Sequence, residues 1–509
     1  MFWWLEPCQG CHGLSIYEEP LVIWLQGGPG ASSTGFGNFE EIGPYAQGWK
    51  ARSHSWVEQA NVLFLDNPVG TGFSYVEEGS NFTTTNAELA ADLLVWLKEF
   101  VWGHPEFHFA PIHIFCESYG GKMGIEFAKA IAHEQATAFL PVNFRGIALG
   151  DSWISPIDFV LSWGPYLEAL SLLDQQTLTN LSHMAETAQD AMRAGNFSRA
   201  TDVWGQYEEE IERQTDNVNF YNVLLHNVPD DDVQSSHPVS QSMPGESVPL
   251  LARRMLARHH PESLTKWMNR EVRDMLGIIP EHVKWGGQAR NVSEHLAEDF
   301  MKDVISVVDD VLNAGVPVTI YNGQLDLICC TLGVDAWLTQ LKWSGSAAFN
   351  AAKRRPLYAH RHSKATGAFF KAHANLAMYY IMGAGHMIPS DQPKMALQML
   401  THILEAPAFE PGNRAKAADL ATSSQYQQYL SSHVGSLEAP AFEPGQMQDQ
   451  SMDMSKQAAS SQYQQYLNSH SRPDGDPDSS GSSMQGTVTL SLTTEQAAGS
   501  QGAFANSES

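Results

Sequence analysis

At 509 residues, with 43% apolar and 17% charged side chains, the chain can bury a large core, as one domain with an insertion or as two domains. Its 57 acidic against 30 basic residues leave a formal charge of −27, which repels a phosphate backbone and an anionic membrane surface, so nucleic acid is excluded as an expected partner. No apolar run approaches the ~20 residues of a bilayer span, and Met1 to Leu5 lack the basic start and long apolar stretch of a signal peptide.

Short apolar runs bounded by Gly, Pro and Asn predict buried strands, beginning with Leu21 to Leu25 and Val62 to Leu65. Asn86 to Val101 then repeats Leu89, Leu93, Leu94 and Leu97 at helical spacing. Strands are predicted at Ile112 to Cys116 and Gly146 to Leu149, with a helix at Gly120 to His133 between them. From about Trp153 to Lys302 amphipathic helical text dominates, with Trp163, Trp204, Trp267 and Trp285 scattered through it; residues 153–302 read as a helical cap inserted into the sheet. Inside the cap, Asp230 to Gly245 reads as an exposed loop, and Asp230, Asp231 and Asp232 as a solvated turn rather than a metal site. Strands return at Val316 to Tyr321 and Met378 to Met382, and Pro393 to Leu404 is helical. Alternating strands and helices imply a mostly parallel sheet, so residues 1–152 and 303–405 form two parts of one α/β core. After Leu404 the text turns to Ser, Gln, Ala and Asp and repeats itself: LEAPAFEPG at Leu404 recurs at Leu437, and SSQYQQYL at Ser423 recurs at Ser460. Residues 406–509 read as a duplicated tail, disordered from about Gln446.

Five cysteines cannot all pair. Cys8 and Cys11 have CxxC spacing, but no second pair or histidine set accompanies them as a zinc site needs. Cys329 and Cys330 read as small buried hydrophobes. Four sequons, at Asn81, Asn180, Asn196 and Asn291, suggest glycosylation and a secretory ancestry.

The chemistry concentrates at strand ends. Ser118, in Cys116-Glu117-Ser118-Tyr119-Gly120, follows a strand and opens a helix, the setting of a nucleophile elbow, with Cys116 where a glycine is usual. In an α/β-hydrolase fold the acid follows a later strand and the histidine the last one. Asp326, just past Val316 to Tyr321, and His386, just past Met378 to Met382, take those places. Gln26-Gly27-Gly28-Pro29-Gly30, directly after the first strand, can supply an oxyanion donor from Gly28, with the Tyr119 amide as the second. Gly121-Lys122 lacks the glycine spacing of a phosphate loop, and no HExxH occurs.

These segments, with Pro20 to Pro44, Asn61 to Tyr75 (NVLFLDNPVGTGFSY) and Ala384 to Pro393 (AGHMIPSDQP), resemble the serine carboxypeptidase family in order and spacing over about residues 15 to 405. WLQGGPG, GFGNFEEIGP, GDSWISP and YNGQLDLI resemble one particular branch of it. The resemblance implies an α/β-hydrolase core with a helical cap, no metal or diffusible cofactor, peptide or protein C-termini as substrate, and a lysosomal or secreted location. It implies Ser118 as nucleophile, His386 as general base and acid, and Asp326 as the group orienting the imidazole. The substrate's terminal carboxylate would meet Trp24, Gln26, Gly27, Glu41 and Glu117, with Gln26 one methylene longer than the family's Asn.

The resemblance also implies strands before Phe2-Trp3-Trp4 that this text lacks, so Met1 to Leu5 are expected to present an open apolar edge. Lys122 to Ile125 makes the helix after Ser118 about one turn shorter than in that branch. Two rival functions stay open on the text alone: an acyltransferase or esterase on the same framework, and a catalytically silent binding protein.

Overall fold

In the computed structural model, which describes residues 1–11, 17–138, 140–227, 261–360, 363–405 and 487–490, the apolar runs are strands of one mixed sheet. Its strands are β1 (Phe2–Glu6), β2 (Leu21–Leu25), β3 (Asn61–Leu65), β4 (Pro111–Glu117), β5 (Asn143–Gly150), β6 (Val318–Gly323), β7 (Arg355–Leu357), β8 (Ala368–His373), β9 (Leu376–Ile381) and β10 (Thr487–Leu490). They lie in the order β10-β1-β3-β2-β4-β5-β6-β9-β8-β7. From β3 through β2, β4, β5 and β6 to β9 every neighbouring pair is parallel. A sheet of this kind is covered on both faces, which is why β2 and β3 are apolar runs rather than alternating ones and every residue in them is buried.

Helix α1 (Asn86–Gly103) starts where the Thr85 side chain accepts from the Glu88 amide, while the Glu88 carboxylate reaches back to Thr84 N–H at 2.7 Å, a reciprocal cap. Its Leu89, Leu93, Leu97 and Phe100 pack with Met123, Ile125 and Phe127 of α2 (Gly120–Thr137) against one sheet face. Met395, Ala396, Met399 and Leu400, all on the helix Pro393–Leu404, cover the other.

The open edge expected at Met1 to Leu5 is not found. β1 pairs antiparallel with β3, and its outer side pairs in parallel with β10, from Phe2 opposite Thr487 to Leu5 opposite Leu490. Its alternate side chains go to opposite cores, as strand geometry requires. Trp3 packs edge-on to Phe100 at 5.2 Å on one face and Trp4 edge-on to Phe39 at 5.8 Å on the other. The expectation of a tail disordered from about Gln446 is corrected at Thr487–Leu490. There a β-branched run inside Ser- and Gln-rich text supplies a strand that composition over a long window conceals. The rest of residues 406–509, like the loop Asp230 to Gly245, lies outside the described residues.

Cys8 and Cys11 are joined to each other by a disulfide with a Cα–Cα separation of 5.7 Å, so that pair is neither metal-binding nor left over. Cys116, Cys329 and Cys330 are free and buried.

Between β5 and β6 the described residues are mostly helical: α3 (Pro156–Ala169), α4 (Gln175–Arg193), α5 (Phe197–Gln214), short helices over residues 261–300, and a helix at Ile305–Asn313. Trp163 of α3 donates its indole N–H to Ile328 O at 3.1 Å, and Trp204 of α5 packs on Phe300 at 4.8 Å. The first of these contacts ties the cap down just past the end of β6, and the second is internal to the cap.

Candidate active site

The C-terminal ends of parallel strands face the same side of a doubly covered sheet, so residues just past them converge. β4 ends at Glu117, α2 begins at Gly120, and Ser118 turns the corner in the left-handed region at φ 62°. That conformation is costly for a residue with a Cβ and persists only when its surroundings enforce it. Here the Ser118 N–H donates to Gly150 O (3.0 Å), and its carbonyl accepts from Gly121 N (3.0 Å) and Trp153 N (2.9 Å). The side chain at 116, larger than the usual glycine, is accommodated from the helix side. A Cβ on Gly124 would lie 2.2 Å from Cys116 Sγ, so the missing side chain at 124 makes the room that Cys116 takes up.

Helix α2 is an unbroken 18 residues long, and its buried Lys122 Nζ donates to the carbonyls of Asp299 (2.6 Å) and Phe300 (3.2 Å). The elbow is therefore anchored to the cap.

Asp326 follows β6 and His386 follows β9, both fully buried, with His386 Nδ1 2.9 Å from Asp326 Oδ2. His386 Nε2 has no hydrogen-bond partner among the described residues. The imidazole stands edge-on to the Tyr221 ring at 5.0 Å, and the His386 amide donates to Tyr221 O at 2.7 Å. The same cap segment holds the neighbouring loops. Val223 N donates to Leu325 O (3.0 Å), Leu327 N to Phe220 O (3.0 Å), and Asn222 Nδ2 to Asp391 Oδ2 (3.1 Å), an oxygen that also accepts from Gly385 N (2.7 Å). Cys329 Sγ lies within 4.8 Å of the Asp326–His386 pair, and burial pushes its thiol far above the usual range.

Trp24, Gln26, Gly27 and Gly28 sit at the end of β2, and Glu41 comes from the helical segment Ser33–Ile42. Gly27 backs directly onto the elbow: a Cβ there would lie 2.6 Å from Ser118 Cβ and 2.7 Å from Tyr119 N. Gly28, at φ 109°, turns the chain next to it. The Gln26 carboxamide is fully used. Its oxygen accepts from Trp24 Nε1 (2.6 Å), and its nitrogen donates to Glu41 Oε1 (3.0 Å) and Glu117 Oε1 (2.8 Å). The extra methylene over Asn thus spans both glutamates.

Glu41 and Glu117, both buried, meet the same Gln26 amide nitrogen through their Oε1 atoms, so the two carboxyls lie side by side. Burial, then the neighbouring Glu41 charge, pushes Glu117 well above the usual carboxylate range, and burial raises Glu41 too. Two like charges this close and this buried disfavour full ionisation of the pair.

Two contributors were missed in the sequence. Asp151, at the end of β5, accepts the Gly323 N–H through Oδ1 at 2.8 Å; an acidic residue at the end of an apolar strand was the signal available. Tyr221, which meets His386 through its ring and its carbonyl, lies in an irregular stretch of the cap and carries none.

A family profile described as serine carboxypeptidase matches residues 1–406. The chain belongs to the serine carboxypeptidase family. Retinoid-inducible serine carboxypeptidase from Homo sapiens is 49% identical to this serine carboxypeptidase over 405 residues, 79% of this chain and 87% of that protein. Serine carboxypeptidase-like 51 from Arabidopsis thaliana is 37% identical over 421 residues, 80% of this chain and 90% of that one. Among solved structures, the prohormone-processing carboxypeptidase Kex1(delta)p from Saccharomyces cerevisiae superposes with a TM-score of 0.64 at 23% identity. It covers 76% of this chain and 83% of its own, a likeness of fold. The protein is a serine-type carboxypeptidase with an α/β-hydrolase fold, and the esterase, acyltransferase and silent-homologue readings are not favoured. No helix among the described residues is long and apolar enough to cross a membrane.

Proposed function

We propose that Ser118, His386 and Asp326 carry the reaction and that the Gln26–Glu41–Glu117 group binds the substrate's free C-terminus. Ser118 Oγ attacks the last peptide carbonyl while His386 Nε2 takes its proton. Asp326 Oδ2 accepts from His386 Nδ1–H, holding the tautomer in which Nε2 is the acceptor. The Gly28 and Tyr119 amides stabilise the developing oxyanion, and the proton on His386 passes to the departing amino group. Water, activated by the same imidazole, then releases the peptide acyl group from Ser118.

The observation that carries this reading is the buried carboxyl pair, bridged by Gln26, beside the elbow. A protonated pair can donate to a carboxylate that an ionised pair would repel. Glu117 is raised, so its proton is present at acid pH and is lost as pH rises through the elevated value. KM for peptides with a free C-terminus is therefore expected to climb with pH, by up to about tenfold per unit once the proton is gone. KM for the same peptides as C-terminal amides should stay nearly flat, and Glu117→Gln should flatten the climb. Steady-state kinetics from about pH 4 to about pH 8, a range bracketing carboxyl and imidazole titration, make the test. Parallel KM curves for acid and amide would return the site to an esterase.

We place the enzyme in the secretory pathway, in a lysosomal or extracellular setting. Two observations support this: the Cys8–Cys11 disulfide, a bond of oxidising compartments, and the exposure of all four sequon residues, Asn81, Asn180, Asn196 and Asn291. Protein from a secreting eukaryotic host should gain gel mobility on endoglycosidase treatment, and unchanged mobility would remove that argument.

A further inference from the structure

Asp151 ends β5 with its backbone in the left-handed region at φ 40°, and its N–H donates to Tyr321 O at 2.9 Å. Its side chain is buried at the level of the site. Oδ1 accepts from Gly323 N–H, but no donor among the described residues reaches Oδ2. Asp326 presents the mirror situation: Oδ2 faces His386, while buried Oδ1 has no donor. The two carboxyls are close neighbours, and each keeps one buried oxygen without a donor. Two ionised carboxylates cannot satisfy these oxygens for each other, because both only accept, whereas one proton on either side chain can.

Resting on the triad reading above, we propose that Asp151 is a positioning residue: protonated, it donates to Asp326 Oδ1 and holds the acid through the oxygen that His386 does not use. The proton belongs on Asp151 because of what faces each group. Asp326 has the imidazole N–H to favour its anion, while Asp151 has one backbone amide. Burial, then the charge of Asp326, pushes Asp151 well above the usual carboxylate range, with Asp391 adding to it. The other titratable neighbours are Glu117, Tyr321 and Cys329, none of them a cation. Nothing in that set stabilises an ionised Asp151. A neutral donor also leaves only one full negative charge to share between the two aspartates, which spares the site a like-charge repulsion next to the imidazole.

The idea separates two roles that a buried aspartate can play. A fixed anion would be lost equally in Asp151→Asn and Asp151→Ala. A neutral donor is reproduced by the asparagine amide, whose oxygen can accept from Gly323 and whose nitrogen can donate to Asp326.

The test compares both variants with the wild-type enzyme on one free-carboxylate peptide across the pH range, with rates normalised to the fraction labelled by a fluorophosphonate. Asp151→Ala is expected to lower kcat roughly tenfold or more, the usual cost of losing a partner of an active-site ligand, with KM within about twofold. It should also shift the acid-side limb of kcat/KM upward, because Asp326 loses a donor to its charged form. Asp151→Asn is expected to recover most of the lost kcat and to keep the wild-type limb. An Asn variant no better than Ala, or an Ala variant whose normalised kcat stays within about twofold of wild type against that expectation, overturns the inference. If Asp151→Ala does not fold, a loss of about tenfold in Asp151→Asn overturns it by itself. Wild-type enzyme that hydrolyses peptides but takes up no label overturns the triad reading as well, which tells the two failures apart.

Discussion

Replacing Ser118 by alanine is expected to lower turnover by about 10⁶ and abolish fluorophosphonate labelling, the scale seen when a member of a serine hydrolase triad is removed. The size follows from the division of labour we propose: without the hydroxyl no acyl-enzyme would form, and the oxyanion donors and carboxylate site would act only on a direct attack by water. Folding should survive. The interactions that hold residue 118 at φ 62° are made by its backbone N–H and carbonyl, to Gly150, Gly121 and Trp153, and alanine keeps both. The Cβ that faces Gly27 is also retained. An unchanged melting temperature with lost activity and lost label is the expected pair of results. Activity close to wild type would remove Ser118 from the mechanism.

Asp326→Asn is expected to lower kcat by about 10⁴, with the fold intact because the replacement is nearly isosteric. In the native site Oδ2 lies 2.9 Å from Nδ1, and in the proposed mechanism it accepts the Nδ1 proton and leaves Nε2 to take the hydroxyl proton. An amide nitrogen in that place donates to Nδ1 instead and forces the proton onto Nε2, the wrong tautomer for a base. The amide could avoid this by turning its oxygen to His386, but its nitrogen would then face Asp151, which we assign as a donor. Donor against donor disfavours that orientation, so a large loss is expected. Measuring kcat and KM for the variant checks both arguments. A loss of less than roughly tenfold, far short of the expectation, would mean that the amide has turned and that Asp151 accepts rather than donates.

Much of the sheet could be read from the text because its strands are local signals. Leu21 to Leu25 is a strand over the predicted residues, and Asn86, Gly120 and Pro393 open helices as predicted. A strand buried on both faces needs an uninterrupted apolar run, and a helix needs apolar spacing of three and four, so each leaves a mark in a few neighbouring residues. The elbow text around Ser118 is equally local, since the turn constrains residues 116 to 120 directly. Chain order then placed Asp326 and His386 at the ends of later strands.

What composition and periodicity could not decide depends on partners far apart in the chain. Whether Met1 to Leu5 had a covered edge turned on β3, some sixty residues on by the register of Trp3 with Leu65, and on β10, which lies beyond residue 480. Spacing alone did not say whether Cys8 and Cys11 would bond a metal or each other; the approach of their side chains did. The same holds for the two carboxyl pairs. Glu41 and Glu117, or Asp151 and Asp326, are single acids in the text. Only the fold removes water from around them and sets them against one another, and burial and proximity together make a shared proton cheaper than two buried charges. The sequence therefore determined which residues stand at the strand ends, and the tertiary structure decided which of them are set side by side, how deeply they are buried and what holds them.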